Sequence, residues 1–335
     1  MKKRNIALGL GGAVGAAVAV KMLTRAKGVD WDDVRELVPH SEHSHFVPVD
    51  GARIHYQEFG ERGSPTVILI HGYTASVYAW RSSAPLIADA GFHVLAIDLV
   101  GFGYSEKPGW FDYSITSQAR IIARFMDRLG VGRATLVGSS YGGAVAATLA
   151  LDYPERVEKL VLVDAVINDE LKSHPLLRMA SMPGLGEILT PFLIDSRLFH
   201  RSRMRTTLAR ASRHLVTDDR IDSVRRPLSA ADAHHSILAT SRNWHAERIE
   251  RDANLINQPT LIVWGEDDKV IPIANGHKLH DSILNSRFVV LRDCGHVPQE
   301  EKAPLFTDLV VEFCRDKKGK IADREGTEMR LEPAA

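Results

Sequence analysis

Ser140 lies in a segment whose residue types suit a nucleophile. Residues 135–143 read TLVGSSYGG, an apolar run followed by two adjacent serines between glycines. A tight turn from a strand into a helix strains its central residue, and glycines two positions before and after it avoid clashes. Gly138 and Gly142 occupy those positions around Ser140. The sequence therefore predicts a nucleophilic serine at the apex of this turn, which we call the elbow, with Ser139 as a neighbour.

A serine nucleophile requires a base and donors for the developing oxyanion, because its hydroxyl is weakly nucleophilic at neutral pH. Tyr73 lies in the segment HGY, which follows an apolar run at 66–70. The backbone N–H of Tyr73 can pair with that of Tyr141 as an oxyanion hole. His296 follows another apolar run, at 287–291, and can serve as the base.

A carboxylate that could orient this histidine lies in the segment GEDDKVIP, directly after an apolar run at 260–265. A carboxylate beside an imidazole fixes the tautomer and stabilises the cation that forms during catalysis. Glu266, Asp267 and Asp268 can each play this part. The residue types alone leave the three acids as alternatives.

These candidate residues lie at the ends of apolar runs that have the length of strands buried on both faces. Helical patterns at 115–129, 144–153 and 305–314 alternate with the runs, which predicts a parallel sheet covered by helices on both faces. Ligands bind such sheets beyond the carboxyl ends of the strands. The predicted strands are 66–70, 93–99, 134–138, 159–165, 260–265 and 287–291, after a hairpin at 45–60 that turns at Asp50-Gly51.

The alternation is interrupted once, between residues 165 and 257. Prolines break this stretch into short amphipathic patterns without a clear strand, so we expect an inserted helical subdomain. Six arginines lie between Arg197 and Arg213, with no acid between Asp195 and Asp218. A solvated helix face is the simple interpretation of this run. Recognition of an anionic head group or a membrane surface is the functional one.

Several separated motifs resemble those of the α/β-hydrolase superfamily, from about His45 to Cys314. HGYTASVYAW resembles the family's His-Gly block, DLVGFGYSEKP its Asp-x-x-Gly-x-Gly-x-Ser loop, and GHVPQEEKAP its Gly-His-x-Pro-x-x-Glu segment. The chain order serine, acid, histidine is the order that this fold uses. The resemblance implies an α/β-hydrolase fold: a mostly parallel eight-stranded sheet with helices on both faces and an inserted helical cap.

The resemblance also implies residue roles. The family's pattern places the acid three residues after the glycine and four before the proline, which selects Asp268 over Glu266 and Asp267. The implied site comprises the catalytic residues Ser140, Asp268 and His296, the oxyanion-hole residues Tyr73 and Tyr141, and the elbow glycines Gly138 and Gly142.

Our first hypothesis for the activity is hydrolysis of a carboxylic ester with a lipophilic acyl chain, because the predicted cap is rich in leucine and methionine. Hydrolases that cleave carbon–carbon bonds in ring-fission products are an alternative. They usually carry Ser-Gly-Pro-Gly after the His-Gly block and often Trp after the histidine, whereas this chain has Tyr-Thr-Ala-Ser at 73–76 and Val297. Acyltransferases and cofactor-free haloperoxidases of the same fold are further alternatives. A non-enzymatic binding module and a membrane-organising scaffold represent other classes.

Composition bears on partners and cofactors. Lysine and arginine together number 42, as do aspartate and glutamate, so the chain has no net charge that would attract nucleic acid. His40, His43 and His45 are spaced closely enough for a metal, but no further ligands accompany them. The glycine-rich segment at 9–15 has no strand before it, which argues against a dinucleotide site. We expect a small-molecule ester substrate, no metal, no cofactor and no nucleic-acid partner.

The N-terminus suggests an anchor. Lys2, Lys3 and Arg4 precede an uncharged run at 5–20 that is shorter than a comfortable bilayer span. We expect residues 1–27 to attach the protein to a membrane as a single N-terminal anchor, with export after signal cleavage or a cytoplasmic protein as alternatives. The expected organisation is an anchor or signal (1–27), a linker (28–44), a hydrolase core (45–165 and 255–318), a helical cap (166–254) and a disordered tail (319–335).

Overall fold

A nine-stranded sheet forms the centre of the molecule. The computed structural model describes residues 28–170, 181–316 and 329–331. The strands are β1 (Ser44–Val49), β2 (Ala52–Phe59), β3 (Thr66–Ile70), β4 (His93–Ile97), β5 (Ala134–Ser139), β6 (Val157–Val163), β7 (Thr260–Gly265), β8 (Ser286–Leu291) and β9 (Met329–Leu331). Their order is β1-β2-β4-β3-β5-β6-β7-β8-β9. β2 pairs antiparallel with β1 and β4, and all other neighbours pair in parallel.

The expected mostly parallel sheet of eight strands is present, and β9 extends it by one short strand beside β8. This strand lies in the tail 319–335, for which we expected no ordered structure, so the expectation is wrong for these three residues. An edge strand is held by the free backbone N–H and C=O groups of its neighbour and needs no apolar face of its own. The rest of the tail lies outside the described residues.

Helices cover both faces of the sheet. The α-helices are α1 (Trp31–Val34), α2 (Ser83–Asp89), α3 (Ile115–Leu129), α4 (Tyr141–Asp152), α5 (Leu185–Asp195), α6 (Arg197–Thr207), α7 (Asp218–Arg225), α8 (Ala231–Arg242), α9 (Glu247–Asp252), α10 (Ala274–Ser282), α11 (Pro298–Glu301) and α12 (Ala303–Arg315). Short 3₁₀ turns lie at Arg35–Leu37, Ser41–His43, Val77–Trp80, Pro154–Arg156, Arg213–Leu215, Arg226–Leu228 and Ala253–Leu255.

Alternate side chains of the strands serve two separate apolar cores. In β3, Ile68 and Ile70 pack with α3 and α4, whereas Val67 and Leu69 pack with α2 and α12 on the opposite face. This follows from the two-residue period of a strand, which sends successive side chains to opposite faces. The continuous apolar runs in the sequence therefore correspond to strands covered on both sides.

The predicted hairpin is formed by β1 and β2, which pair from Ser44↔Gln57 to Val49↔Ala52. Asp50 and Gly51 have φ values of 46° and 86°. A two-residue turn of this kind requires positive φ at both central positions, which aspartate and glycine tolerate.

The segment 28–44 differs from the linker that the sequence suggested, because it packs against the sheet. It contains α1 and two 3₁₀ turns. The ring of Trp31 lies 5.0 Å from that of His55 and 5.4 Å from that of Phe46. The Gln57 side chain donates to the carbonyl oxygen of Pro39 at 2.7 Å. Aromatic packing of Trp31 and the hydrogen bond from Gln57 thus hold this segment against the sheet, although its polar composition indicated a linker.

The region 166–254, which we call the cap, lies between β6 and β7. Its described part contains α5 to α9 and no strand, in agreement with the expected helical insertion. Residues 171–180 lie outside the described part. The cap contacts the core directly: the Tyr73 hydroxyl donates to the carbonyl oxygen of Ile237 at 2.8 Å. The cap thereby lies at the carboxyl edge of the sheet, where the sequence places the candidate residues.

The expected N-terminal anchor or signal, residues 1–27, lies outside the described residues. Within 28–170, 181–316 and 329–331, the helices are all too short or too polar to cross a bilayer.

Candidate active site

Ser140 occupies the elbow between β5 and α4. Its φ of 54° and ψ of −117° lie in a region that residues other than glycine rarely adopt. Its N–H donates to the carbonyl oxygen of Val163 at 2.8 Å, and its own carbonyl oxygen accepts from the N–H groups of Gly143 at 2.9 Å and Val166 at 3.1 Å. These bonds hold a strained residue at the carboxyl edge of the sheet, where the sequence predicts the nucleophile.

The glycines of the elbow are required by close backbone approaches. A Cβ on Gly142 would lie 2.3 Å from the carbonyl oxygen of Ile70, and a Cβ on Gly138 would lie 2.3 Å from that of Gly142. Backbone atoms of β3 and α4 cannot yield as a flexible side chain can. We therefore expect Gly142→Ala to lower the free energy of unfolding by about 3 kcal/mol, the upper range for overpacking, measured by urea denaturation.

Gly132→Ala is the matched control for this experiment. A Cβ at Gly132 meets nothing within 4 Å, so this variant should unfold within about 0.5 kcal/mol of the parent protein. Equal stability of the Gly142 and Gly132 variants would contradict the steric argument.

A continuous chain of hydrogen bonds joins Ser140, His296 and Asp268. His296 Nε2 lies 3.0 Å from Ser140 Oγ, and His296 Nδ1 lies 2.7 Å from Asp268 Oδ2. Because a carboxylate only accepts, Nδ1 carries the proton and Nε2 is free to accept from the serine hydroxyl. Ser140 is 9% exposed and His296 7% exposed, so the chain is largely shielded from solvent.

Asp268 is the acid that the structure brings to the histidine. Its Oδ1 accepts from the N–H groups of Val270 at 2.7 Å and Ile271 at 3.1 Å, while Oδ2 faces His296. Its side chain is fully buried. Glu266 and Asp267, the other two acids of the segment, are exposed. The spacing argument therefore selects the same residue that the geometry does.

The loop that carries His296 is fixed by the cap as well as by the core. The N–H of His296 donates to the carbonyl oxygen of Thr207, the last residue of α6, at 2.9 Å. Glu301 accepts from the N–H groups of Gly295 at 3.0 Å and Ala209 at 2.9 Å. The cap and the histidine loop are thus joined by one backbone hydrogen bond and by the Glu301 carboxylate, which accepts from both.

The segment after β3 lies beside Ser140. A Cβ built on Gly72 would approach Ser140 Cβ to 3.2 Å, so the residue that precedes Tyr73 packs closely against the serine. In the described part of the chain, the N–H groups of Tyr73 and Tyr141 have no backbone acceptor. Burial raises the pKa of both phenols, so their side chains stay neutral. The backbone groups remain available for an oxyanion.

The family model for the alpha/beta hydrolase fold matches residues 65–303, which include every element of this site. The chain belongs to this family. A 2-hydroxy-6-oxononadienedioate/2-hydroxy-6-oxononatrienedioate hydrolase from Burkholderia vietnamiensis is 30% identical over 277 residues, which cover 78% of this chain and 91% of the relative.

Solved structures of other alpha/beta hydrolases share the architecture. A meta-cleavage product hydrolase from Pseudomonas fluorescens IP01 matches with a TM-score of 0.69 and 28% identity, covering 82% of this chain and 98% of that one. A membrane phospholipase A described as a bacterial virulence factor matches with a TM-score of 0.68 and 26% identity, covering 94% of this chain and 98% of that one. The similar structures therefore include both a meta-cleavage product hydrolase and a phospholipase A.

The arginine run of the cap divides into two kinds of residue in this alpha/beta hydrolase. Arg197 and Arg201 are more than one-third exposed and pair with Asp222 and Asp218. This fits the solvated helix face that we expected as the simple interpretation. Arg203, two residues further along α6, points instead toward the candidate site.

Arg203 is a cation that the sequence did not single out. Its Nη1 donates to the Thr74 hydroxyl at 2.7 Å, and Thr74 directly follows the oxyanion candidate Tyr73. Burial is the main cause that lowers the pKa of Arg203, and Arg220 lowers it further. In the described part of the chain no carboxylate forms an ion pair with it. A partly buried guanidinium without an acid is costly unless an anion from outside binds there.

The histidines near the N-terminus do not converge. His40 Nε2 lies 2.9 Å from the carbonyl oxygen of Arg81, and His43 Nδ1 lies 3.0 Å from that of Glu58. His45 Nε2 lies 3.9 Å from a Glu58 carboxylate oxygen. Among the described residues, these three histidines are not part of any cluster that could hold a metal ion.

Proposed function

We propose that this alpha/beta hydrolase cleaves its substrate through a covalent acyl-enzyme on Ser140. The observation that carries the proposal is the hydrogen-bond chain from Ser140 through His296 to Asp268, with distances of 3.0 Å and 2.7 Å. His296 takes the serine proton as Ser140 attacks a substrate carbonyl, and later donates it to the leaving group. Asp268 holds the imidazole in the required tautomer and stabilises its cation.

The backbone N–H groups of Tyr73 and Tyr141 are the proposed oxyanion hole. Both lie beside Ser140, and donors that are already oriented stabilise the charge that develops on the carbonyl oxygen. Water then attacks the acyl-enzyme with His296 as base, which releases the acyl part as a carboxylic acid and restores Ser140.

The first candidate substrate is a keto acid whose carbon–carbon bond is hydrolysed next to the ketone. The curated relative from Burkholderia vietnamiensis acts on such a compound by its name, and that compound is a carboxylate. Arg203 supports this candidate because it offers a partly buried cation without an acid partner, next to Thr74 and Tyr73. A substrate carboxylate would form charge-assisted hydrogen bonds with this guanidinium.

A lipophilic ester is the second candidate. The likeness to the membrane phospholipase A extends over 94% of this chain, against 82% for the meta-cleavage product hydrolase. Val297 and the Tyr-Thr-Ala-Ser segment at 73–76 also depart from the pattern of the carbon–carbon hydrolases. In α5 of the cap, Leu185, Ile188 and Phe192 are 38%, 50% and 40% exposed, which provides an apolar surface on the cap.

A substrate panel separates the two candidates. The full-length protein would be assayed with 2-hydroxy-6-oxo-6-phenylhexa-2,4-dienoate, followed by the loss of its absorbance, and with p-nitrophenyl esters of increasing acyl length. A kcat/KM for the dienoate well above that for every ester would establish the first candidate, and the opposite order would establish the second. Failure of both, with Ser140 still labelled by a fluorophosphonate, would point to acyl transfer or to haloperoxidase chemistry.

Arg203→Met provides a sharper test of the acid-bearing substrate. We expect this variant to raise KM for the dienoate about 10- to 100-fold, because a hydrogen bond to a charged group is lost. Its kcat/KM for p-nitrophenyl butyrate should change by less than about threefold, because a neutral ester does not use the cation. Both constants come from steady-state kinetics.

Arg201→Met is the control for this variant, since Arg201 lies on the same helix but is exposed and paired with Asp218. It should leave both substrates unaffected. If Arg203→Met reduced the hydrolysis of the ester and the dienoate equally, the guanidinium would have a structural part and would not bind a substrate carboxylate.

A further inference from the structure

A second aspartate lies behind the candidate triad. Asp164 directly follows β6 and is fully buried. Carboxylate oxygens of Asp164 and Asp268 and a ring nitrogen of His296 all lie within 4.8 Å of one another. Its backbone φ of 43° is positive, which is uncommon for a residue with a side chain. Such a strained, buried acid calls for a physical explanation.

The surroundings of Asp164 do not support a negative charge. Its Oδ1 accepts one hydrogen bond, from the N–H of Gly265 at 2.9 Å. Its Oδ2 is buried and has no conventional donor among the described residues. No lysine or arginine in the described part of the chain forms an ion pair with it. A buried carboxylate with one donor and no cation is unfavourable.

The two acids that act on Asp164 through their charge, Asp268 and Glu301, both raise its pKa. Asp268 and His296 face it from the loops after β7 and β8, Glu301 from α11, and the buried thiol of Cys294 from the same loop as His296. The Glu301 carboxylate accepts from the backbone N–H groups of Ala209, Gly295 and Val297. Burial is the main cause that raises the pKa of Asp164 well above its usual range, followed by the charge of Asp268.

The two aspartates are not equivalent. Asp268 accepts from three donors, the N–H groups of Val270 and Ile271 and the ring nitrogen of His296, whereas Asp164 accepts from one. Two carboxyl groups at close range in a buried site cannot both ionise, so one of them keeps a proton. The group with fewer donors is the one that keeps it.

We propose that Asp164 is a positioning residue, a neutral carboxylic acid whose Oδ2–H donates a hydrogen bond to the Asp268 carboxylate. This bond completes the acceptor capacity of Asp268 and fixes the carboxylate that orients His296. The inference rests on the proposed function of Asp268 and His296. Asp164 does not touch the substrate, and it acts through Asp268.

The protonation of Asp164 can be tested without any substrate. In the full-length protein, the C=O stretch of a protonated carboxyl group should appear in the infrared spectrum at neutral pH and vanish in Asp164→Asn. The pKa of His296, followed by NMR of its imidazole, should move by less than about half a unit in the same variant, because a neutral amide replaces a neutral acid. Retention of the infrared band in Asp164→Asn would overturn the proposal.

An ionised Asp164 would predict a different change in the pKa of His296 in the same variant. If Asp164 were ionised, its charge would raise the pKa of His296, and Asp164→Asn would then lower that pKa by about one unit or more. This result would also overturn the proposal. Asp267→Asn is the matched control, because Asp267 is the exposed acid next to Asp268 and should change neither the infrared band nor the histidine titration.

The positioning effect is tested by activity. Asp164→Leu removes the donor and should reduce kcat about 10- to 100-fold with little change in KM, whereas Asp164→Asn keeps a donor at this position and should stay within about threefold of the parent. Thermal melting of both variants shows whether the leucine variant is folded. If it is unfolded, the infrared and NMR measurements on Asp164→Asn still test the proposal. Equal loss in both variants would contradict a role for the hydrogen bond. Absence of turnover in the parent protein would speak against the proposed function, not against the state of Asp164.

Discussion

Ser140→Ala is expected to reduce kcat for the accepted substrate about 10⁴- to 10⁶-fold, the loss that follows when the nucleophile of a serine triad is removed. The reason is geometric: among the described residues, Ser140 carries the hydroxyl that lies 3.0 Å from the histidine nitrogen able to take its proton. The variant should also lose labelling by a fluorophosphonate. Steady-state kinetics on the substrate panel and mass spectrometry of the labelled protein measure the two effects.

Ser139→Ala is the matched control, because the chain places two serines side by side. The Ser139 hydroxyl accepts from the Gln299 side chain at 3.2 Å, whereas His296 Nε2 contacts the Ser140 hydroxyl. This variant should keep activity within about tenfold and should still be labelled. If instead the Ser140 variant retained activity, or the parent protein were never labelled, the chain would be better explained as a non-enzymatic binding module of the same fold.

The elements that position the site were predictable because each has a local physical signature. Strands buried on both faces must be continuously apolar, and the runs at 66–70 and 260–265 coincide with β3 and β7. The elbow could be located because its glycines avoid backbone clashes of 2.3 Å. The helix that we predicted at 144–153 begins earlier in the structure, at Tyr141, directly after Ser140. It therefore includes the elbow glycine Gly142.

Other features could not be predicted because their signal exists only in three dimensions. Nothing local distinguishes Arg203 from its neighbours in the arginine run, and only the folded α6 turns it toward Thr74. Asp164 looks like the end of a strand until β7 brings Asp268 beside it. Trp31 lies in a polar stretch, and its packing partners His55 and Phe46 come from the later hairpin. Long-range contacts of this kind leave no periodic pattern.

The second large effect is expected for Asp268→Asn, which should lower kcat about 10⁴-fold, the loss observed when the aspartate of such a triad becomes asparagine. The hydrogen bonds around Asp268 explain why the isosteric change is so harmful. The N–H groups of Val270 and Ile271 point at Oδ1, so the oxygen of the new amide must stay at that position. Its NH₂ group then takes the place of Oδ2 and faces His296.

When the amide NH₂ faces the protonated Nδ1, two hydrogen-bond donors lie opposite each other without an acceptor. His296 can relieve this conflict only by losing the Nδ1 proton, which places the proton on Nε2 and turns that nitrogen from an acceptor into a donor toward Ser140. The serine then has no base, although every atom lies nearly where it did.

The measurement is kcat against pH for the parent protein and the Asp268→Asn variant, with Asp267→Asn as the exposed neighbour that should behave like the parent. A loss smaller than about tenfold would show that Asp268 does not set the tautomer. At high pH, where the Nε2 proton can be removed by hydroxide, the variant should regain part of its rate, because the defect lies in the position of a proton and not in the fold.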